Sequence, residues 1–217
     1  MRTRRTSSPI RRILPLVLIA VTGCFSLGRN APVPQHYVLG GAGPRGEETV
    51  STAPARVTVG LRRLQLAPYL ATSFVVVRRG SNQITFSEFQ RWGEDLGGGI
   101  NRAVAGYLAA RSPFPRLDMA PWPLGTQHDY LIQLHVLRFE GVATEEPSAG
   151  EGEVHMLATW EIIGQRDDAV LARGTTDYRK DGWRVGDFAG LVALLDAGLE
   201  ALANDLAAGL EKLGGVP

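Results

Sequence analysis

YLIQLHVLRF, residues 130–139, alternates apolar and polar side chains with a period of two. Tyr130, Ile132, Leu134 and Val136 share one face of an extended strand, and Gln133 and His135 share the other. The same period returns twice downstream. In EVHMLATWEII (153–163) Val154, Met156, Ala158, Trp160 and Ile162 fall together, and in AVLARGTTDY (169–178) Val170 and Ala172 continue the pattern. His155, Thr159, Glu161 and Arg173 point the other way. Three such runs in succession predict an antiparallel meander with one buried and one wet face. Its first connection, GVATEEPSAGEG, is long and acidic; the second, from Gly164 to Asp168, is tight.

A buried sheet face needs a cover. Phe188, Leu191, Leu195, Leu199, Leu202, Leu206, Leu210 and Leu213 form one apolar helical stripe, with Asp187 placed as its N-cap. Gly190, Gly198 and Gly209 let another backbone come close, either the sheet beneath or a second copy; a sheet-packing helix is the simpler reading. Leu96, Ile100, Val104, Tyr107 and Leu108 recur at helical spacing towards Arg111, and Ser112-Pro113 ends that helix. Upstream, RVTVGLRRLQL (56–66) reads as a strand running into a turn at Ala67-Pro68. FVVVRR (74–79) and QITF (83–86) flank Gly80-Ser81-Asn82 as a hairpin. QHYVL (35–39) makes a short first strand. The order strands, helix, strands, helix predicts an α+β fold: a mostly antiparallel sheet with two main helices on one face.

The N-terminus belongs to a different part of the protein's life. MRTRRTSSPIRR carries five arginines and no acid, and residues 13–23, ILPLVLIAVTG, carry no charge. A basic start before a short apolar run is a secretory signal. Eleven residues rise only ~16 Å as a helix, about half the hydrocarbon core, so a permanent span is not expected. Arg4-Arg5 is followed by Thr6, Ser7 and Ser8, which lack the apolar character of a twin-arginine signal. The run closes Val21-Thr22-Gly23-Cys24, which resembles the lipobox of bacterial lipoproteins. Small residues lie flat in a peptidase groove, and only a thiol accepts the diacylglycerol thioether. Cys24 is the only cysteine, so it has no internal disulfide partner. These features predict a signal peptide over 1–23, a lipidated Cys24 and tether over 24–34, and one domain over 35–217. Phe25 follows the cysteine where enteric-type sorting uses aspartate for inner-membrane retention, so the outer membrane is the expected destination.

Cleavage leaves 194 residues; removing five arginines from 23 basic residues leaves 18 against 22 acidic ones, a net charge of −4. Nucleic-acid binding wants a basic face and is excluded. No GxSxG, HExxH, P-loop or dinucleotide fingerprint occurs, and no cofactor is implied. Glu88, Glu94 and Asp95 cluster as a glycosidase pair would, but carboxylates also gather where a helix starts. His135 and His155 share parity on neighbouring strands and lack a third ligand for a metal, so they read as surface residues. Arg62, Arg63, Arg78 and Arg79 form two basic doublets, which read as a solvated edge or a contact for lipid phosphates or an acidic partner.

The stretch from 57 to 108 is more specific. It combines a V-x-V-G strand, the turn Leu66-Ala67-Pro68-Tyr69-Leu70, and Ser87-Glu88-Phe89-Gln90-Arg91-Trp92-Gly93-Glu94-Asp95-Leu96 ahead of a helix. Together with the lipobox and Tyr37-Val38-Leu39, these segments resemble the ABC-type transport auxiliary lipoprotein family. The resemblance implies a non-catalytic lipoprotein on the periplasmic face of the outer membrane. It would serve a lipid-transport system with an inner-membrane ABC transporter or permease and an MCE-family periplasmic protein, docking that conduit as a single copy or as a homo-oligomeric ring. The alternative is a module that itself carries phospholipid between helix and sheet. Tyr69 and Arg91 are the expected partner contacts; Phe89 and Trp92 either join them or pack the core. Ala71-Thr72 replaces the Asp or Arg often found after Tyr-Leu. Gly97-Gly98-Gly99 replaces helix formers at a cost of ~3 kcal/mol, so the helix is expected to start at or after them.

Replacing Cys24 with Ser should leave the chain unacylated by mass and release it from the membrane fraction. A variant that still sedimented with membranes as wild type does would remove the anchor from Cys24.

Overall fold

The computed structural model describes residues 32–40, 57–110, 116–144 and 150–214. The signal segment, Cys24 and most of the tether lie outside the described residues. In chain order the elements are β1 (Gln35–Tyr37), β2 (Thr58–Leu61), β3 (Gln65–Leu66), a 3-10 turn (Pro68–Leu70), β4 (Phe74–Arg79), β5 (Gln83–Trp92), α1 (Leu96–Ala109), β6 (Arg116–Met119), β7 (Tyr130–Ala143), β8 (Glu151–Gly164), β9 (Val170–Arg184) and α2 (Phe188–Lys212). The expected α+β class is borne out, and the three meander strands extend beyond the runs that announced them.

Strand β7 is the spine. One edge pairs antiparallel with β8, from Tyr130↔Gly164 to Val142↔Glu153. Three short strands share the other edge in succession, all parallel to it: Val59↔Tyr130 from β2, Gln65↔His135 from β3 and Val77↔Gly141 from β4. Beyond β4 lie β5 and then β1; beyond β2 lies β6; beyond β8 lies β9. These parallel additions carry little alternation, since β2 and β3 are short and Val75, Val76 and Val77 are all buried.

The alternation of β7 is broken once. Ile132, Leu134 and Val136 are fully buried against the helices, but the register with β8 shifts between Val136 and Arg138. One extra residue returns Phe139 to the core at 1% exposure and sends Glu140 to the face away from the helices. Unbroken alternation would aim Arg138 into the core instead.

The leucine stripe of α2 lies on that core face, with Leu191, Leu195, Leu199, Leu202, Leu206 and Leu210 all fully buried. Gly198 approaches Met156 and Tyr178, and Gly209 approaches Ile162 and Trp160, so both glycines are sheet contacts. The helix α1 packs beside α2 through Ile100, Val104 and Leu108. Tyr107 Oη donates to Asp196 Oδ2 at 2.7 Å, and Gly40 N donates to the other oxygen at 2.8 Å. No helix among the described residues is long and apolar enough to cross a membrane.

Two expectations are corrected here. The helix α1 begins before its three glycines, because Asp95 Oδ2 accepts from Gly98 N at 2.8 Å and Leu96 is buried at 3%. A cap is worth ~1 kcal/mol and a buried leucine ~2 kcal/mol, which offsets the propensity cost. Bare Cα positions also leave room for Asp95 over Gly97 and Glu94 over Gly99. Secondly, Glu88 does not belong to the helix start, because residues 87–92 extend the hairpin strand. The β4–β5 ladder jumps from Val76↔Phe86 to Phe74↔Arg91, so Ser87–Gln90 bulge outward. The far half of β5 pairs with β1, from Gln35↔Gln90 to Tyr37↔Trp92.

Across the β8–β9 ladder the Trp160 ring lies on the backbone of Gly174, its register partner, and leaves no room for a Cβ. Gly174→Ala should cost ~1–3 kcal/mol in urea unfolding through overpacking. An unchanged midpoint would mean that the ring is free to move aside.

Candidate functional site

Two segments set apart in the sequence, 66–73 and 87–96, meet in space. Trp92 N donates to Ser73 O and Gly93 N to Tyr37 O, each at 2.8 Å. Where they join the first turn of α1 the surface is concave. A cleft of about 820 Å³ is lined by Arg63, Leu64, Asn101, Arg102 and Met119, among others; a second of about 440 Å³ is lined by Thr72, Ser73, Trp92 and Leu96. They adjoin through Leu66, Ala71, Glu94 and Asp95, which line both.

This groove mixes apolar walls with compensated charge. Glu94 pairs with Arg102, whose Nη2 also donates to Leu39 O at 3.0 Å. Asp95 is engaged as the helix cap. Asn101 Nδ2 donates to Arg62 O at 3.0 Å, while its Oδ1 is buried without a partner. Among the described residues no group of three or more His, Cys, Asp or Glu is arranged for a metal. Glu94 and Asp95 sit at the helix start as expected, and Glu88 lies exposed in the β5 bulge.

The four residues singled out in the sequence are distributed differently from one another. Trp92 is 5% exposed and packs on Phe139, 5.8 Å between ring centres, so most of it belongs to the core and only an edge lines the second cleft. Tyr69 is half-buried; its hydroxyl donates to Leu137 O, at the β7 bulge, at 3.1 Å. Burial, aided by nearby Glu140, pushes that phenol up to about 12. The Arg78 guanidinium lies 5.7 Å from the Tyr69 ring centre. Arg91 stands 4.8 Å over Phe74, and Phe89 is half-buried in the bulge.

The sheet face away from the helices holds more buried charge than a wet face should. Glu140 is fully buried, with Arg78 Nε donating at 2.5 Å and Arg78 Nη2 at 3.4 Å, and with Arg138 Nη1 in ion-pair range at 3.6 Å. Its ladder partner His155 is 2% exposed and bonded to Asp177 Oδ1 at 2.8 Å. Burial lowers the His155 pKa although Asp177 opposes the shift. The expected surface histidine is therefore a buried, neutral one. His135 pairs with Thr159 further along, so the two histidines do not face each other. Of the basic doublets, Arg78 is taken up by Glu140 and Arg62 lies 3.9 Å from Asp168.

Sequence reasoning missed Phe74 and Phe86 as a pair. Their rings lie 6.5 Å apart, and Phe86 is 45% exposed. Four bulged residues separate Phe86 from Arg91, so no regular spacing marked the three as neighbours.

Comparison with known proteins adds the following. The model of the family described as ABC-type transport auxiliary lipoprotein component matches residues 37–207. No curated protein matches the chain in sequence. Among solved structures, protein XCC0632 from Xanthomonas campestris superposes with a TM-score of 0.61 at 14% identity, covering 84% of this chain and 95% of that one. An uncharacterized protein gives 0.57 at 16% identity, covering 82% and 98%. At these identities the structures establish a shared fold.

Replacing Arg78 with Met leaves the Glu140 carboxylate buried with only the more distant Arg138. It should lower the unfolding free energy by ~3–5 kcal/mol. Tyr69→Phe removes one hydrogen bond and should cost ~1 kcal/mol. Equal, small losses in denaturant titrations would show that Glu140 does not depend on Arg78.

Proposed function

The chain belongs to the family of ABC-type transport auxiliary lipoprotein components, and from that membership we propose that it is the docking component of an intermembrane lipid-transport system. It is a transport-associated lipoprotein. In this reading the signal peptide is removed, Cys24 carries the acyl chains, and the domain sits on the periplasmic face of the outer membrane. It performs no catalysis. Its partner is an MCE-family periplasmic protein whose ABC permease lies in the inner membrane, and copies of the chain assemble around that conduit.

The observation that carries the docking role is the groove. The Leu66–Leu70 turn and the Arg91–Leu96 segment, which carry the family resemblance, converge there with the start of α1. Apolar walls, an unpartnered buried acceptor on Asn101 and a rim of paired charges suit a protein surface, where a dry centre is ringed by polar contacts. The carrier reading has less support. It needs a chamber between helix and sheet, and that space is filled by Leu195, Leu199, Leu202 and Leu206 at full burial.

Ala71 is exposed and lines both halves of the groove, so a large side chain there fills it without touching the core. Full-length Ala71→Trp should keep the wild-type melting temperature and lose about tenfold in capture of the MCE-type partner, ~1.4 kcal/mol. Undiminished capture would sink the groove as the docking surface.

A further inference from the structure

We infer that Phe74, Phe86 and Arg91, on the sheet face away from the helices, form the surface that rests on the phospholipid headgroups of the bilayer holding the anchor. The inference rests on the lipidation of Cys24 and deepens that reading by saying how the domain is turned.

Covalent reach comes first. Gln35 lies eleven positions beyond Cys24, so the first residue of β1 lies at most ~40 Å from the acylated sulfur. The strand β1 runs parallel to β5 with Gln35 beside Gln90, at the Ser87–Gln90 bulge. The anchored chain therefore joins the domain next to Phe86, Phe89 and Arg91. In the strand path β1-β5-β4-β7-β2-β6, this edge is the one opposite β6.

Chemistry selects the same place. Three other arginines of this face are taken up by carboxylates: Arg78 and Arg138 by Glu140, Arg179 by Asp177 and Glu153. Arg91 is held by a ring instead, has no carboxylate partner among the described residues, and its Nε is buried with no acceptor. Beside it Phe74 and Phe86 offer adjacent rings, the second 45% exposed. A guanidinium without a counter-ion on an aromatic platform matches a layer of phosphates over acyl chains, where basic and aromatic side chains gather. Glu88, exposed in the same bulge, works against an anionic surface and keeps the contact weak.

The test uses the full acylated chain in vesicles of phosphatidylethanolamine and phosphatidylglycerol. A nitroxide at Phe86→Cys stands where the ring stood, and one at Leu124→Cys reports from a fully exposed position between β6 and β7. Collisions with dissolved oxygen, relative to a water-soluble nickel chelate, should place the first label in the headgroup layer and the second in water. Adding Arg91→Ser should reduce the immersed fraction about fivefold, the equivalent of ~1 kcal/mol for one basic side chain at an anionic leaflet. An acylated chain whose Phe86→Cys label stays in water overturns the face alone, as does shielding that requires the partner protein. A chain found unacylated by mass overturns the anchor and the face with it.

Discussion

A β-strand has two hydrogen-bonding edges, and the far edge of β7 is divided among three short strands. β2, β3 and β4 take its first, middle and last thirds in turn, each parallel to it. β2 and β3 are too short to stand alone and depend on a template already fixed by β8, whereas β4 is also held by its hairpin partner β5. The connections between them are thereby set as well. The Pro68–Leu70 turn lies against the middle of β7, Ala67 N donates to Val136 O, and the hairpin of β4 and β5 begins where that turn ends. The groove at the start of α1 is thus assembled on β7 even though β7 contributes none of its lining.

The bulge at Leu137 gives the sheet two chemically distinct faces. Before it, even-numbered residues face the helices; after it, odd-numbered ones do. The change puts Phe139 under Trp92 and leaves Glu140 to Arg78 and Arg138. A buried ion pair seldom adds net stability compared with apolar residues of the same volume. Its effect here is better understood as alignment: a carboxylate with no access to water needs β4 and β7 in one register. Tyr69 reinforces the same joint, since its hydroxyl meets the bulge carbonyl of Leu137 and its ring lies under Arg78.

Much of this fold was legible because long elements repeat their period. The meander, the leucine stripe of α2 and the Asp187 cap follow from residues 130–213 alone, and all three are present. What escaped the sequence had a local cause in each instance. The helix α1 starts at Leu96 because a side-chain cap and the burial of Leu96 together offset three glycines, and propensity sums take account of neither. His155 alternates onto the outer face as predicted, but Asp177, Arg179 and Arg138 close over it, so parity was right and exposure wrong. Phe74, Phe86 and Arg91 meet only because four residues loop out of β5, a jump no periodic pattern encodes. The groove was half visible, as two motifs without the knowledge that they touch.

A tether of eleven residues has a consequence for how strongly any face of the domain must bind. Anchored at Cys24 as proposed, and so confined to a hemisphere of about 40 Å radius, the domain would meet its own bilayer at an effective concentration on the order of 10 mM. A contact with a dissociation constant in that range would be negligible for a free protein, yet here it is occupied about half the time. On that proposal the acyl chains would supply residence, and the aromatic and arginine side chains would need to supply only direction. Such a weak contact can let go whenever a partner pulls the domain upright, without the protein ever leaving the membrane.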